Sequence, residues 1–274
     1  MNPRSVVAMP KSIEHTLLGP DEPRPVVELH RRGQSDFVIV VDHASSRIPR
    51  RLGDLGLPAS ELQRHIAWDI GSLAVAQRVA AALDAPLVWQ NYSRLVIDCN
   101  RNPETPSSIP TVGEWTQIPG NIGLSDAEVA ARRAEIFDPY HNHLRALLDE
   151  RRASGRSTIL VAQHSMTSIF KGTRRTMHAA VLYNRDRRFA GAVLNMLRRE
   201  PDLIIADNEP YFVSDETDFT IPHHAEKRSL LHVEIEIRQD LLVDEPGQAD
   251  WARRITKALR DAARSEDRTH EGPV

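Results

Sequence analysis

The chain reads as an α/β protein: a three-layer α/β/α domain around a mixed, mostly parallel sheet. Three observations predict it. Short apolar runs alternate with longer amphipathic segments, the pattern of βα units. The runs at 37–41 and 159–162 are apolar at every position, as in strands buried on both faces. The length of 274 residues, 41% of them hydrophobic, is enough for one large core.

Taken in order, residues 1–34 carry Pro3, Pro10, Pro20, Pro23 and Pro25 and little periodicity. They read as an irregular leader that either wraps the domain or supplies an edge strand. Strands are expected at 36–42, 86–90, 94–98, 157–163, 178–183, 203–206 and 231–237. The spacing of 86–90 and 94–98 predicts a hairpin, which makes the sheet mixed. Helices are expected at 59–66 and at 70–84, where Leu73, Ala76, Ala80 and Leu83 form one apolar stripe. A long helical stretch, 126–153, opens on Ser125 with Glu128 three residues later, a capping box. Pro139 should kink or split it. Helices at 186–199 and 247–264 complete a single domain over 35–265, and the polar residues 266–274 read as a flexible tail.

The formal charge of −3 argues against nucleic acid or an anionic membrane as the main partner. Cys99 is the one cysteine, so no intrachain disulfide forms, which fits a reducing compartment. No apolar run approaches the roughly 18 residues of a membrane span. The Val6-Val7-Ala8 patch is shorter than the apolar stretch of about 7–15 residues in a signal peptide. A cytoplasmic protein is the expectation, and the sequence leaves the oligomeric state open.

Chemistry in open α/β sheets collects at the carboxyl ends of the strands. His43 ends the first buried run and His164 ends a second. Two strands that each finish in histidine suggest a shared metal site. A catalytic zinc takes three protein ligands and keeps one position for water. Asp69, just before the helix at 70–84, is a candidate third ligand, or else a plain helix cap. No HExxH or CxxC is present, so the signal is one of long-range spacing.

A second cluster, Ser93 to Pro103, holds Arg94, Asn100 and Arg101. A guanidinium grips a carboxylate as a two-pronged fork, so the cluster suits an anionic substrate. The plainer reading pairs the arginines with Asp98 or with surface acids. Arg174, in the pair Arg174-Arg175, could add to the same anion site or belong to a solvated loop. On the strand at 231–237, alternation sets Val233, Ile235 and Ile237 on one face and Glu234, Glu236 and Arg238 on the other. Two acids on an otherwise apolar strand need a solvated edge or a site, because buried charge is costly unless paired. Glu236, nearer the carboxyl end, is the candidate base beside a metal. His141 reads as a partly exposed helical histidine, and the roles of His223 and His224 are open. Cys99 reads as core. No Gly-x-Ser-x-Gly elbow or Gly-rich phosphate loop points to serine or nucleotide chemistry.

Several stretches in this order resemble the N-formylglutamate amidohydrolase family. They are Asp42-His43-Ala44-Ser45 with Ile48-Pro49, Asp69-Ile70-Gly71, Arg94 to Arg101, His164-Ser165-Met166, Asp207 to Tyr211 and Glu236 to Leu241. The resemblance runs from about 36 to 243. It implies a phosphorylase/hydrolase-like α/β/α fold related to zinc exopeptidases of the carboxypeptidase type. It also implies a Zn²⁺ enzyme, or one using another divalent transition metal. Its substrate would be a small anionic N-acyl amino acid, N-formyl-L-glutamate giving formate and L-glutamate. Arg94, Asn100 and Arg101 look like the family's carboxylate-holding elements, and Glu236 like its base. The chain departs from carboxypeptidase-like sites in having Ser46 where the first loop often carries a glutamate ligand. That departure favours Asp69 as the carboxylate ligand.

Overall fold

The computed structural model describes residues 16–270. Within them lie seven principal strands and five principal helices: β1 (Val26–Leu29), β2 (Phe37–Val41), α1 (Ser72–Leu83), β3 (Leu87–Gln90), α2 (Asp126–Arg132), α3 (Asp138–Ala153), β4 (Ile159–Met166), β5 (Ala179–Leu182), α4 (Arg188–Leu197), β6 (Ile205–Asp207), β7 (Leu231–Arg238) and α5 (Glu245–His270). The strands form one mixed sheet in the order β1-β3-β2-β4-β7-β5-β6. The pairs β2–β3, β2–β4, β4–β7 and β5–β6 are parallel, while β1–β3 and β5–β7 are antiparallel.

Period-two alternation divides the sheet's side chains between two cores. Phe37, Ile39, Val41, Val161, Val233, Ile235 and Ile237 pack against α1, α4 and α5 on one face. Val38, Val40, Leu160, Ala162, Ala180 and Leu182 pack under α3 on the other. The same alternation continues past the apolar runs. Asp42, His164, Glu234 and Glu236 therefore share the α3 face, at the carboxyl ends of β2, β4 and β7.

One expectation is corrected. Residues 94–98 form no strand and no hairpin with 86–90. The Ser93 hydroxyl accepts from Leu95 N at 3.1 Å and Val96 N donates to Ser93 O at 2.9 Å, which curls the segment into a turn. Its apolar run is buried without alternation, Leu95 in one cluster and Val96 and Ile97 in another. The neighbour of β3 is instead β1, so the leader supplies an edge strand. At the other end α5 extends through His270, and the parts of the expected leader and tail at 1–15 and 271–274 lie outside the described residues. Of the two readings of the acids on β7, a solvated edge or a site, the second is the one observed: the strand lies between β4 and β5 and is buried along nearly its whole length.

The long stretch at 126–153 stays helical throughout and changes its winding just before Pro139. The Ser125–Glu128 capping box opens α2, and a π-helical turn at Arg133–Phe137 precedes Asp138-Pro139 at the start of α3. Asp138 N donates to Arg133 O across the π turn, and Pro139, which has no N–H, follows where the ladder changes register.

Candidate active site

One cavity of about 520 Å³ opens at the carboxyl ends of β2, β4 and β7. Its lining brings together His43, Asp69, Arg94, Asn100, Arg101, His164 and Glu236. Arg174 is the exception: it is exposed in a two-residue ladder and is not part of the lining. Its neighbour Arg175 is the buried member of the pair. Arg175 donates to Thr167 O at 3.1 Å and to the Tyr211 hydroxyl, and its guanidinium lies over the Phe170 and Tyr211 rings.

His43 follows β2 directly, and its carbonyl accepts from Asp69 N at 2.9 Å, which ties the two segments together. Gly71 then turns the chain into α1 at φ +80°, where a Cβ would meet Leu242 Cβ at 2.5 Å. The helix is not capped by Asp69, whose carboxylate points to the histidines. Asp69 Oδ2 lies 3.3 Å from His43 Nδ1 and 2.8 Å from His164 Nδ1. One donor atom from each of the three residues lies within 4.8 Å of the other two.

The outer ring nitrogens are also met by acids. His43 Nε2 is 2.7 Å from Asp98 Oδ1, and His164 Nε2 is at an ion-pair distance of 3.4 Å from Asp42 Oδ2. Asp42 in turn accepts from the Tyr140 and Thr220 hydroxyls at 2.7 and 2.8 Å. A carboxylate only accepts, so a proton stands between each ring nitrogen and the acid it meets; with a cation on the two Nδ1 atoms, the outer acids would keep the proton on Nε2 and leave the Nδ1 lone pairs to the metal. Carboxylates behind imidazoles in this way fix the tautomer that binds a metal.

The electrostatics follow from this crowding. Burial and the nearby Arg94 oppose charge on His43, yet Asp98 and Asp69 outweigh them and hold its pKa above the ordinary histidine value. Burial likewise opposes charge on His164, and Glu234, Asp42 and Asp69 overcome it. Asp69 is buried too, but the two imidazoles keep it ionised, below the usual carboxylate range. Without a metal, then, protons hold the three donors together. A divalent cation on the same atoms would neutralise the same repulsion, so the donor set fits a metal ion.

Glu236 stands beside His164 in the β4–β7 register. Burial, reinforced by the charge of Asp69, pushes its carboxyl up to about 7. Its Oε2 is buried with no hydrogen-bond partner among the described residues, as is Oε2 of Glu234, one turn of the pleat deeper. Burial raises Glu234 well above the usual carboxylate range.

The arginine cluster divides. Arg94 Nε and Nη2 both donate to Asp98 Oδ2, at 3.0 and 2.7 Å, and its Nη1 is 3.5 Å from Asp69 Oδ1. The plainer pairing with Asp98 is thus what Arg94 makes. Asn100 is spent on the fold: its amide donates to Asp218 Oδ1 at 3.0 Å and its oxygen accepts from Phe219 N and Thr220 N. Arg101 uses Nη1 on the Asn100 and Thr217 carbonyls and lies 3.8 Å from Asp218. Among the described residues nothing accepts from its Nε or Nη2.

His141 is buried, contrary to expectation. It contacts the Cys99 carbonyl at 2.8 Å and His224 at 2.9 Å, outside the cavity lining. Burial lowers its pKa to about 4, so it packs as a neutral ring. Cys99 is buried in the core as read. Asp98, the partner of His43, was not singled out from sequence. Its one signal was its position in the Arg94–Arg101 cluster, where an acid among three cation or amide groups asks for a partner elsewhere.

Sheet, layers and site chemistry together are those of an α/β/α amide hydrolase. The chain belongs to the N-formylglutamate amidohydrolase family, whose model matches residues 35–243, and it is an amidohydrolase. It is similar to a protein of solved structure from Agrobacterium tumefaciens, with 37% identity and a TM-score of 0.89 over 92% of this chain and 99% of that one. The N-formylglutamate amidohydrolase from Ralstonia eutropha shares the fold at 21% identity, with a TM-score of 0.63 over 88% of this chain and 98% of that one. None of the curated proteins compared with the chain matches it significantly. No helix among the described residues is long and apolar enough to cross a membrane.

Proposed function

We propose that the chain is a metal-dependent amidohydrolase that cleaves the amide of a small N-acyl amino acid. N-formyl-L-glutamate, the substrate in the family's name, is the reference member of that class. The observation that carries this reading is the convergence of His43 Nδ1, Asp69 Oδ2 and His164 Nδ1 in the cavity that also holds Glu236. Two imidazoles and one carboxylate are the donor set of an open catalytic zinc site. When bound there, zinc or another divalent transition metal supplies Lewis acidity, which polarises an amide carbonyl and acidifies a water.

The protein's own groups do the rest. Asp98 and Asp42 hold the outer nitrogens of the two histidines, so the inward lone pairs stay aimed. Glu236, with its pKa near neutrality, takes the proton of the attacking water. The water oxygen bonds to the acyl carbon, the carbon–nitrogen bond breaks, and Glu236 returns the proton to the departing amine. Arg101 offers its free Nε and Nη2 to the substrate carboxylate, which orients the amide. Arg94 serves as the brace of Asp98 and Asp69.

Formate release from N-formyl-L-glutamate, measured on chelated protein before and after adding Zn²⁺ or Co²⁺, tests the reading. Activity should vanish with chelation and return with metal. The Glu236→Gln variant should keep its metal and lose about 10²–10⁴ in kcat. Near-normal kcat in that variant would remove Glu236 from the mechanism.

A further inference from the structure

The mouth of the cavity is unlike its floor. Val112, Phe170, Tyr211 and Phe212 line it, and Phe212 is 64% exposed. Two short hairpins carry part of this rim. Val112–Gly113 pairs with Thr116–Gln117, and Ile169–Phe170 pairs with Thr173–Arg174. Lys171 N donates to Glu114 Oε1 at 2.9 Å and joins the two. Trp115, 70% exposed, sits at the same join, with Lys171 Nζ 5.6 Å from its ring centroid. Large apolar side chains gathered in solvent around a pocket mark a surface that something covers. Here Val112, Phe170, Tyr211 and Phe212 line the pocket itself, so the occupant that covers them is the pocket's own ligand.

The charges in the cavity point the same way. Two guanidinium groups line it, from Arg94 and Arg101, beside the acidic residues Asp69, Asp98, Glu114, Asp218, Glu234 and Glu236 and the imidazoles of His43 and His164. Arg94 is engaged by Asp98 and Asp69, which leaves Arg101 with open donors. One carboxylate on the substrate has a partner. A second would find no other guanidinium of the lining with open donors, since Arg94 is held by Asp98 and Asp69. A cavity of about 520 Å³ is also in the range that holds drug-sized ligands, larger than a formylated dicarboxylic amino acid needs.

We propose that the preferred substrate is a monocarboxylate N-acyl amino acid bearing one large apolar or aromatic group, which rests on the rim formed by Val112, Phe170, Tyr211 and Phe212. This rests on the amidohydrolase reading and narrows its substrate. The apolar group has two chemical sources, the amino-acid side chain or the acyl group, and the assay separates them.

The test compares kcat/KM of the zinc-loaded chain for N-formyl-L-phenylalanine, N-benzoylglycine and N-formyl-L-glutamate. One of the two aromatic substrates should exceed the glutamate by about tenfold or more, the scale that apolar pocket contacts supply. N-formyl-L-phenylalanine in the lead assigns the rim to the side chain, and N-benzoylglycine assigns it to the acyl group. The Phe212→Ala variant should shrink that ratio severalfold by raising KM for the aromatic substrate. A preference for the glutamate, or a ratio untouched by the variant, overturns the proposal while leaving the hydrolase intact. Calorimetric binding of the same compounds covers the converse case. Aromatic preference in binding without any turnover would overturn the amidohydrolase reading and keep the rim. Equal or absent binding of the aromatic compounds would overturn the rim.

Discussion

At the floor of the cavity each ring nitrogen of His43 and His164 faces a carboxylate oxygen, and the acids behind them are held by hydroxyl and guanidinium donors. At the mouth, Val112, Trp115 and Phe212 stand in solvent on two-residue ladders and irregular backbone. The floor hangs from paired strands of the sheet, where register leaves side chains little freedom. The rim is fastened by a few polar clasps. Chemistry that needs aimed lone pairs is thus built on the rigid part, and the part that meets varied substrates is left adjustable.

If the floor is a unit, its failure should be abrupt. His164→Ala removes an inward donor and leaves Asp42, Glu234 and Asp69 without their shared cation partner, since all three lean on this imidazole. We expect metal content to fall to background and kcat/KM to drop by at least about 10³. Elemental analysis alongside the kinetics checks this, and full metal occupancy would take His164 out of the ligand set.

A milder cut tests the supporting acids. Asp98→Asn keeps the shape but removes the charge that holds His43 Nε2 and that anchors Arg94. The expected loss is about 10–100-fold in metal affinity or activity, the range for acids behind metal-binding histidines. Metal titration followed by fluorescence or calorimetry would show it. An unchanged affinity would mean that Asp98 serves only the arginine.

The same contrast explains what the sequence revealed. Strands at 37–41, 159–166 and 231–238 were legible because buried runs carry a period and end in polar residues. So was the gathering of His43, Asp69, His164 and Glu236, since strand ends converge in a parallel sheet. Residues 94–98 misled because an irregular segment buried on several sides also reads as a continuous apolar run. That Arg174 stands exposed and Arg175 buried was not legible for a related reason. Which of two adjacent side chains turns inward depends on a short hairpin with no periodicity of its own. Asp98 was hidden because its partner, His43, lies far away in sequence. The rim left no sequence signal, since exposed apolar residues in tight hairpins follow no repeat.

The smallest effect belongs to the join of the two rim hairpins. Glu114 accepts from Lys171 N with one oxygen and from Arg64 with the other, with His65 Nε2 at 3.6 Å. Glu114→Gln keeps an acceptor for Lys171 N but removes the charge opposite Arg64. The pair is partly screened, with the Arg64 side chain 33% exposed, so stability should change by about 1 kcal/mol or less. The rim should loosen while the floor does not. The expected signature is a rise of about two- to fivefold in KM for the preferred substrate with kcat unchanged, since only binding common to ground and transition state is lost. A fall in kcat with KM unchanged would show instead that the join reaches the reacting atoms, and the division between rigid floor and adjustable rim would not hold.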